Sequence, residues 1–354
     1  MYESKTVAVV VPAYNEEAFV GGVIDTVPDF VDRVYAVDDC STDDTWAEIT
    51  ARADDDRERV GAIVDGASDA DVADVAAEAD GRQVESDGGV ADGHRVVPIR
   101  HRRNRGVGAA IKTGYCAARD DGMDVTVVMA GDGQMDPEML ERVVEPVVDG
   151  RADYAKGDRL SYPEYRGQMS RWRSFGNWLL TYLTKVASGY WGVVDPQNGY
   201  TAISLRALEA VDVEDVYDDY GFANALLVRL NVAGMRVADV AMPAVYGDEE
   251  SHIRYATFVP QLSTLLAQNF LWRLKTKYLV RDCHPLAFLY GLGAVGTGVG
   301  LVTALRRDGD SKTEDGGDGG SDAATPTLVG LLALALATTF DRLDDDDLHV
   351  REEP

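Results

Sequence analysis

The chain has 354 residues, 45% of them hydrophobic, which is enough for one large domain or two ordinary ones with a sizeable core, and excludes a disordered protein. Its 61 Asp and Glu outnumber 34 Lys and Arg, a formal net charge of -27, and this excludes nucleic acid as a partner because phosphate backbones need a basic face. The acids spread through DDDRER, DGASDADVAD and DRLDDDD as a surface solvated in very high salt requires, so a halophilic archaeon is the expected source; the charge bears on solubility, not fold.

Short β-branched runs alternate with helical patterns through the first half, which predicts βα units on a mainly parallel, buried sheet. TVAVVV (6–11) reads as the first strand, Ala18–Val27 as a helix and RVYAV (33–37) as the second strand. A further helix, Asp44–Ala53, is opened by the capping run Ser41-Thr42-Asp43. Lys5 leads straight into Val7–Val11, so no leader is expected and this part should stay in the cytoplasm. From Ala53 to Arg95 no periodicity would bury a face; a short strand at Gly61–Val64 and then an acidic insertion over about 65–95 are expected. The sheet resumes with VVPI (96–99), a helix from Val107 to Arg119 and the strand TVVM (126–129). Cys40, Cys116 and Cys283 are odd in number and outside metal spacing, and are expected to be reduced and buried.

Around 171–190, Trp172, Phe175, Trp178, Leu179, Tyr182 and Val186 share one helical face near Arg171, Arg173 and Lys185. That pattern suits a helix in the membrane–water interface, with an amphipathic core helix as the alternative. Residues 285–305 carry no charge and, at ~1.5 Å per residue, reach ~30 Å, the hydrocarbon thickness. Thr327–Phe340 pairs with them as a hairpin across a Gly/Asp linker at about 306–326, where Gly296 and Gly300 allow close approach. Arg273, Lys275, Lys277 and Arg281 place the side preceding the first span in the cytoplasm, against which Arg306 and Arg307 count. The expected organisation is a site-bearing domain over 1–255, a juxtamembrane amphipathic helix over 256–283, two spans over 284–340 and an acidic tail over 341–354.

In an open α/β sheet, ligands bind beyond the carboxyl ends of the strands. PAYNEE (12–17) ends the first strand, with Tyr14 able to stack on a base and Glu16 in the first helical turn. VDDCSTDDT (37–45) brings Asp38 and Asp39 to the same edge, where a carboxylate can accept from a base N–H or a ribose hydroxyl, or can simply cap the next helix. NRGVGAAIKTG (104–114) lacks the third glycine of a dinucleotide fingerprint, having Ile111 there. VVMAGDGQMDP (127–137) halts an apolar run at glycines around Asp132, with Gln134 close behind. A departing diphosphate needs a cation, and Mg2+ or Mn2+ takes few protein oxygens, completing its shell with phosphate and water. Asp132 and Gln134 suit that demand, and Gly131 lets a diphosphate approach the backbone.

PAYNEE, VDDCSTDDT, NRGVGAA, VVMAGDGQMDP, KGDR (156–159) and DPQNGY (195–200), in this order, resemble glycosyltransferase family 2, within it the dolichyl-phosphate (polyprenyl-phosphate) mannose and glucose synthases. The resemblance covers about residues 5–255 apart from the insertion. It implies an α/β GT-A fold, here with a C-terminal helical hairpin, a nucleotide-diphosphate sugar donor, Mg2+ or Mn2+, and inversion at the anomeric carbon. By position, it gives Pro12, Tyr14, Glu16 and Asp39 to the nucleotide, Asp132 and Gln134 to the metal, and Arg159 to donor or acceptor phosphate. Gln197, Asn198 and Gly199 fall to the sugar and acceptor site. Two departures stand out: Ala130 replaces the first acid of the Asp-x-Asp motif, and YGDEESHIRY (246–255) offers His252 and Arg254 near the family's phosphate-binding lysine.

A sugar hydroxyl needs a general base before it can attack, whereas a lipid phosphate is already an anion. Ala223-Asn224 stand where relatives that glycosylate alcohols carry acids, leaving Asp195 and Asp219 as the remaining candidate bases. The expected function is transfer of a hexose, UDP-glucose favoured, to a polyprenyl or dolichyl phosphate at the cytoplasmic membrane face. A transferase acting on a hydroxyl of a lipid-linked glycan and a non-catalytic membrane scaffold are the alternatives, and self-association is left open.

Overall fold

The computed structural model describes residues 1–64, 94–160, 171–243, 255–281, 283–310 and 321–351. Eight strands form one mixed sheet: β1 (Val7–Ala13), β2 (Arg33–Asp38), β3 (Val96–Arg100), β4 (Val125–Val128), β5 (Tyr154–Asp158), β6 (Thr201–Ser204), β7 (Val237–Ala241) and β8 (His349–Arg351). Their order is β3-β2-β1-β4-β6-β5-β7-β8, with β6 antiparallel to both neighbours and every other pairing parallel. Alternate residues of β1 serve opposite cores, as the pleat demands. Val7, Val9 and Val11 pack on the side of α1 (Val20–Thr26), α2 (Thr45–Val64) and α4 (Leu140–Val148). Ala8 and Val10 pack on the side of α3 (Val107–Asp120), α6 (Leu205–Ala210) and α7 (Phe222–Val232). Burial on both faces explains why these strands read as continuous apolar runs.

Two expectations are corrected here, and a third falls outside the described residues. Gly61–Val64 is the last turn of α2, because the Ala- and Arg-rich stretch after Thr45 propagates one helix past the point where apolar periodicity fades. The acidic insertion lies outside the described residues except for His94 and Arg95; the Arg95 guanidinium donates to the carbonyls of Val27, Pro28 and Val31 and ties β3 to the turn after α1. The cysteines are free, but Cys40 and Cys116 are half-buried and Cys283 is exposed.

α5 (Arg171–Ser188) packs against α7 and α8 (Tyr255–Arg273) through Leu180 and Ala187, leaving Trp178, Leu179, Tyr182 and Leu183 exposed. The Trp178 and Tyr182 rings stack at 6.0 Å. A π-helical turn, Leu274–Arg281, leads from α8 to α9 (Leu286–Asp310), which pairs with α10 (Ser321–Asp344). Leu286–Arg306 and Ala324–Asp344 are each long and apolar enough to cross a membrane. A Cβ on Gly296 would sit 2.9 Å from both the Gly330 Cα and the Pro326 carbonyl oxygen, so backbone meets backbone there.

The stretch expected as an acidic tail instead closes the fold. Asp341, in the last turn of α10, is fully buried, accepting Arg273 Nη2 at 2.6 Å and the hydroxyls of Tyr278 at 2.7 Å and Tyr290 at 3.2 Å. Asp345 takes Arg273 at 3.3 Å and Lys277, and β8 then joins the sheet beside β7. Burial works to lower the Arg273 pKa, but Asp341 outweighs it and the net direction is upward. Two of the four cations that set the expected orientation are thus neutralised inside the protein, by partners too distant in sequence for a local charge count to include.

Candidate active site

The carboxyl ends of β1, β2 and β4 open onto a cleft of about 410 Å³ lined by Pro12, Ala13, Tyr14, Glu16, Asp39, Asn104, Gly106, Val107, Ala110, Ala130, Gly131, Asp132, Asp219 and Tyr220. Its floor is built by backbone. The Asp39 N–H donates to the Ala13 carbonyl at 2.9 Å and the Gly131 N–H to the Pro12 carbonyl at 3.0 Å, so the three strand tips are joined beyond their ladders. Pro12 fits in β1 because β4 pairs only as far as Val10, leaving no ladder bond for its missing N–H on that side. The loop after β1 is stitched to the loop after β2: Asn15 N–H donates to Ser41 Oγ at 2.9 Å, Thr42 N–H to Asn15 Oδ1 at 2.9 Å, and Glu16 N–H to Thr45 Oγ1 at 2.7 Å.

The two neighbouring acids of β2 part company. Asp38 is fully buried, pairs with Arg100 Nε at 3.0 Å, accepts the Ser41 N–H and stands behind the cleft lining rather than in it. Asp39 reaches the cleft and accepts from the Arg105 N–H at 2.9 Å, the Gly106 N–H at 2.7 Å and His101 Nδ1 at 2.7 Å. It thereby fixes the loop that opens α3, where Gly106 holds φ +93, a conformation side chains rarely adopt. NRGVGAA, set aside as a dinucleotide motif, contributes Asn104 and Gly106 to the wall.

Asp132 is half-buried at the end of β4, one oxygen accepting the Gln134 N–H at 3.0 Å. A Cβ on Gly131 would lie 3.1 Å from Ala13 Cβ and 3.2 Å from the Pro12 carbonyl oxygen, so a bulkier residue would push the Asp132 turn off the strand tips. Among the described residues no group of three or more His, Cys, Asp or Glu could hold an ion between them. A hard divalent cation at this turn would take one carboxylate, Asp132, beside the Gln134 amide oxygen, and find its other oxygens on phosphate and water.

On the far side of β6 lies the segment expected to line the sugar and acceptor site. Arg159, just after β5, directs Nε to Asp195 Oδ2 at 2.9 Å, and Asp195 is buried. Asn198 is buried with Oδ1 accepting the Tyr200 N–H at 3.0 Å, while Gln197 Nε2 donates to Asn224 Oδ1 at 2.7 Å. Tyr200 donates to the Asp136 carbonyl at 3.1 Å and a Gly199 Cβ would meet Met135 Cε at 3.4 Å, so this segment abuts the Asp132 turn. Burial pushes the Tyr200 hydroxyl pKa up, keeping it a neutral donor. Behind the segment, Asp239 accepts from Lys156 at 2.9 Å, from the Val194 N–H at 3.1 Å and faces His349 Nε2 at 3.1 Å. Burial works to raise its pKa, but Lys156 and His349 outweigh it and lower it to about 2. His252 and Arg254 lie outside the described residues. Of the other expected residues, Pro12, Tyr14, Glu16, Asp39, Gly131 and Asp132 share one cleft, whereas Arg159, Gln197 and Asn198 form a second group beside it.

The family model described as Glycosyl transferase family 2 matches residues 8–63 and 61–212. Over 243 residues the chain is 25% identical to UDP-N-acetylglucosamine--dolichyl-phosphate N-acetylglucosaminyltransferase of Methanococcus voltae, covering 68% of this chain and 86% of that protein. It is 26% identical over 250 residues to undecaprenyl-phosphate mannosyltransferase of Micrococcus luteus, covering 68% and 83%. Among solved structures, glucosyl-3-phosphoglycerate synthase from Mycobacterium tuberculosis, in complex with Mn2+, uridine-diphosphate and glucosyl-3-phosphoglycerate, matches at 20% identity with a TM-score of 0.47, covering 76% of this chain and 80% of that one.

Proposed function

Because the chain belongs to glycosyl transferase family 2 and is a glycosyltransferase with a GT-A sheet, we propose that it transfers a hexose with inversion from a nucleotide-diphosphate donor to a polyprenyl or dolichyl phosphate at the cytoplasmic membrane face. The product would feed protein glycosylation or surface glycan assembly, in a halophilic archaeon by the acidity of the chain. The observation that carries the reading is the placement of Asp39 and Asp132 on one cleft at the strand tips, in a chain whose apolar hairpin is locked to the same domain through Arg273 and Asp341. The names of the Methanococcus and Micrococcus relatives, both acting on a polyprenyl-type phosphate, support the acceptor.

An oxygen of the lipid phosphate attacks the anomeric carbon opposite the departing group; the new C–O bond forms as the bond to the nucleoside diphosphate breaks. No proton has to be removed from such a nucleophile. Mg2+ or Mn2+, held by Asp132 and Gln134 with the donor phosphates, would neutralise the leaving diphosphate, and Ala130 leaves that ion one carboxylate fewer than the motif usually supplies. Tyr14 and Asp39 hold the nucleoside end, while Arg159 and the Gln197–Asn198 segment take the sugar and the acceptor. On this reading 1–255 is the catalytic domain. Because β8 returns to its sheet after α10, both ends of the hairpin belong on the catalytic side, which supports a two-span, multi-pass topology with the exposed aromatics of α5 at the bilayer surface.

The donor reading takes UDP-glucose from the AGDGQMDP form, with UDP-N-acetylglucosamine beside it from the Methanococcus relative's name. Asp219, exposed on the cleft wall, favours a second reading in which it deprotonates a sugar hydroxyl. Incubating the full chain with dolichyl phosphate and a panel of labelled nucleotide sugars separates them. The proposal expects one mild-acid-labile lipid monophosphate sugar; label found only in neutral glycolipid refutes it.

A further inference from the structure

Thr184 lies on the buried face of α5, opposite the exposed Trp178 and Tyr182. Its hydroxyl donates to the Leu180 carbonyl at 2.9 Å, which commits its one proton and leaves its oxygen to accept from Asn224 Nδ2 at 2.7 Å. Asn224 is thereby turned with Oδ1 toward Gln197, whose Nε2 donates to it at 2.7 Å. Neither Thr184 nor Asn224 reaches solvent, so reversing Asn224 would set its N–H groups against those of Gln197, and reversing Gln197 would set two carbonyl oxygens face to face, at a buried contact with Asn224. We infer that Thr184 and Asn224 are positioning residues that fix which way round the half-buried Gln197 amide is presented, leaving its carbonyl oxygen and second N–H to a hydroxyl of the donor sugar. Oε1 of Gln197 accepts from no protein group among the described residues.

The chemistry of the amide favours a sugar over the acceptor phosphate as the group so met. A phosphate dianion needs donors only, whereas the amide offers an acceptor and a donor together, the pair a hydroxyl matches. An acid at 224 would accept from both neighbours, pull the Thr184 proton off Leu180 and bury a charge, so a neutral amide is the residue that keeps the chain of bonds directional. The relay also runs from the helix with the exposed aromatic face to the sugar segment, so the site's specificity is set from the membrane-facing side of the fold. This rests on the proposed assignment of Gln197 to the sugar site.

The test uses the full chain in dolichyl-phosphate-containing vesicles, with donor affinity read by calorimetry on UDP-glucose and UDP-N-acetylglucosamine and product read separately. Thr184→Val and Gln197→Ala are each expected to weaken binding of the favoured donor about tenfold, to leave the KM for dolichyl phosphate unchanged, and to be no worse combined than Gln197→Ala alone. Thr184→Ser, which keeps the hydroxyl, should restore affinity to within about twofold. Multiplying losses in the double variant, or a Thr184→Val chain that binds donor normally, overturns the relay. Should Thr184→Val not fold, Asn224→Ala carries the same test, since it removes the acceptor that orients Gln197 and normal donor affinity in it also overturns the relay. Failure of the unaltered chain to form a lipid monophosphate sugar while it binds donor overturns the proposed acceptor and leaves the relay to be judged on the donor affinities alone.

Discussion

Replacing Asp341 by Ala should unfasten the apolar hairpin from the catalytic domain. Arg273 is wholly buried, and Asp341 supplies it with contacts of 2.6 and 3.1 Å while also accepting from Tyr278 and Tyr290. Removing the carboxylate strands a buried guanidinium and takes the acceptor from two phenols. Breaking one side of a buried ion pair costs about 3–5 kcal/mol. Asp345, 3.3 Å from Nη1, and Asp344, 3.2 Å from the Tyr278 hydroxyl, each retain part of the network, so the low end, about 3 kcal/mol, is expected. For a chain of this size that corresponds to a fall of roughly 4 °C in unfolding temperature. Thermal unfolding of the detergent-solubilised chain measures it, alongside Arg273→Leu/Asp341→Ala, which removes both charges and should recover most of the loss. A single variant melting within about 1 °C of the parent, or a double variant no better than the single, would refute the reasoning.

Gly296→Val should separate the two apolar helices, because the added carbon meets the Gly330 backbone at 2.9 Å and backbone cannot yield; cross-linking between cysteines placed on the two helices should drop sharply, whereas Gly291→Val, which meets nothing, should leave it intact. Asp239 makes stability acid-sensitive. Its folded pKa of about 2 lies below the ordinary 3.8, so its contribution is full above pH ~4 and is lost as pH falls toward 2. The shift corresponds to about 2 kcal/mol, and Asp239→Asn should flatten the stability profile measured by denaturant unfolding over that window.

The motif order made the cleft legible because strand-tip residues act through backbone proximity, and β1, β2 and β4 are adjacent in the sheet. Asp38 and Asp39 could not be told apart from spacing: successive strand residues point to opposite faces, and which face holds Arg100 and which holds the Gly106 loop is decided by β3 and α3. The Gly61–Val64 strand failed for a similar reason, since four residues with two β-branched side chains can end a helix as readily as form a strand. Arg273 and Lys277 looked like orientation signals because their acidic partners, Asp341 and Asp345, come after the whole hairpin. Asn224 drew notice only as a missing acid, whereas its contacts with Thr184 and Gln197 join two helices and a loop that no local pattern connects.

The proposed transfer depends most on Asp132 serving the departing diphosphate from its place in the cleft wall. The direct measurement compares lipid monophosphate sugar formed by the full chain and by Asp132→Ala at matched folding, with and without a chelator for divalent cations. A loss of at least about 100-fold in turnover is expected on either treatment, with no further loss when they are combined. Turnover unchanged in the variant, or a chelator effect that persists in full without Asp132, would contradict it.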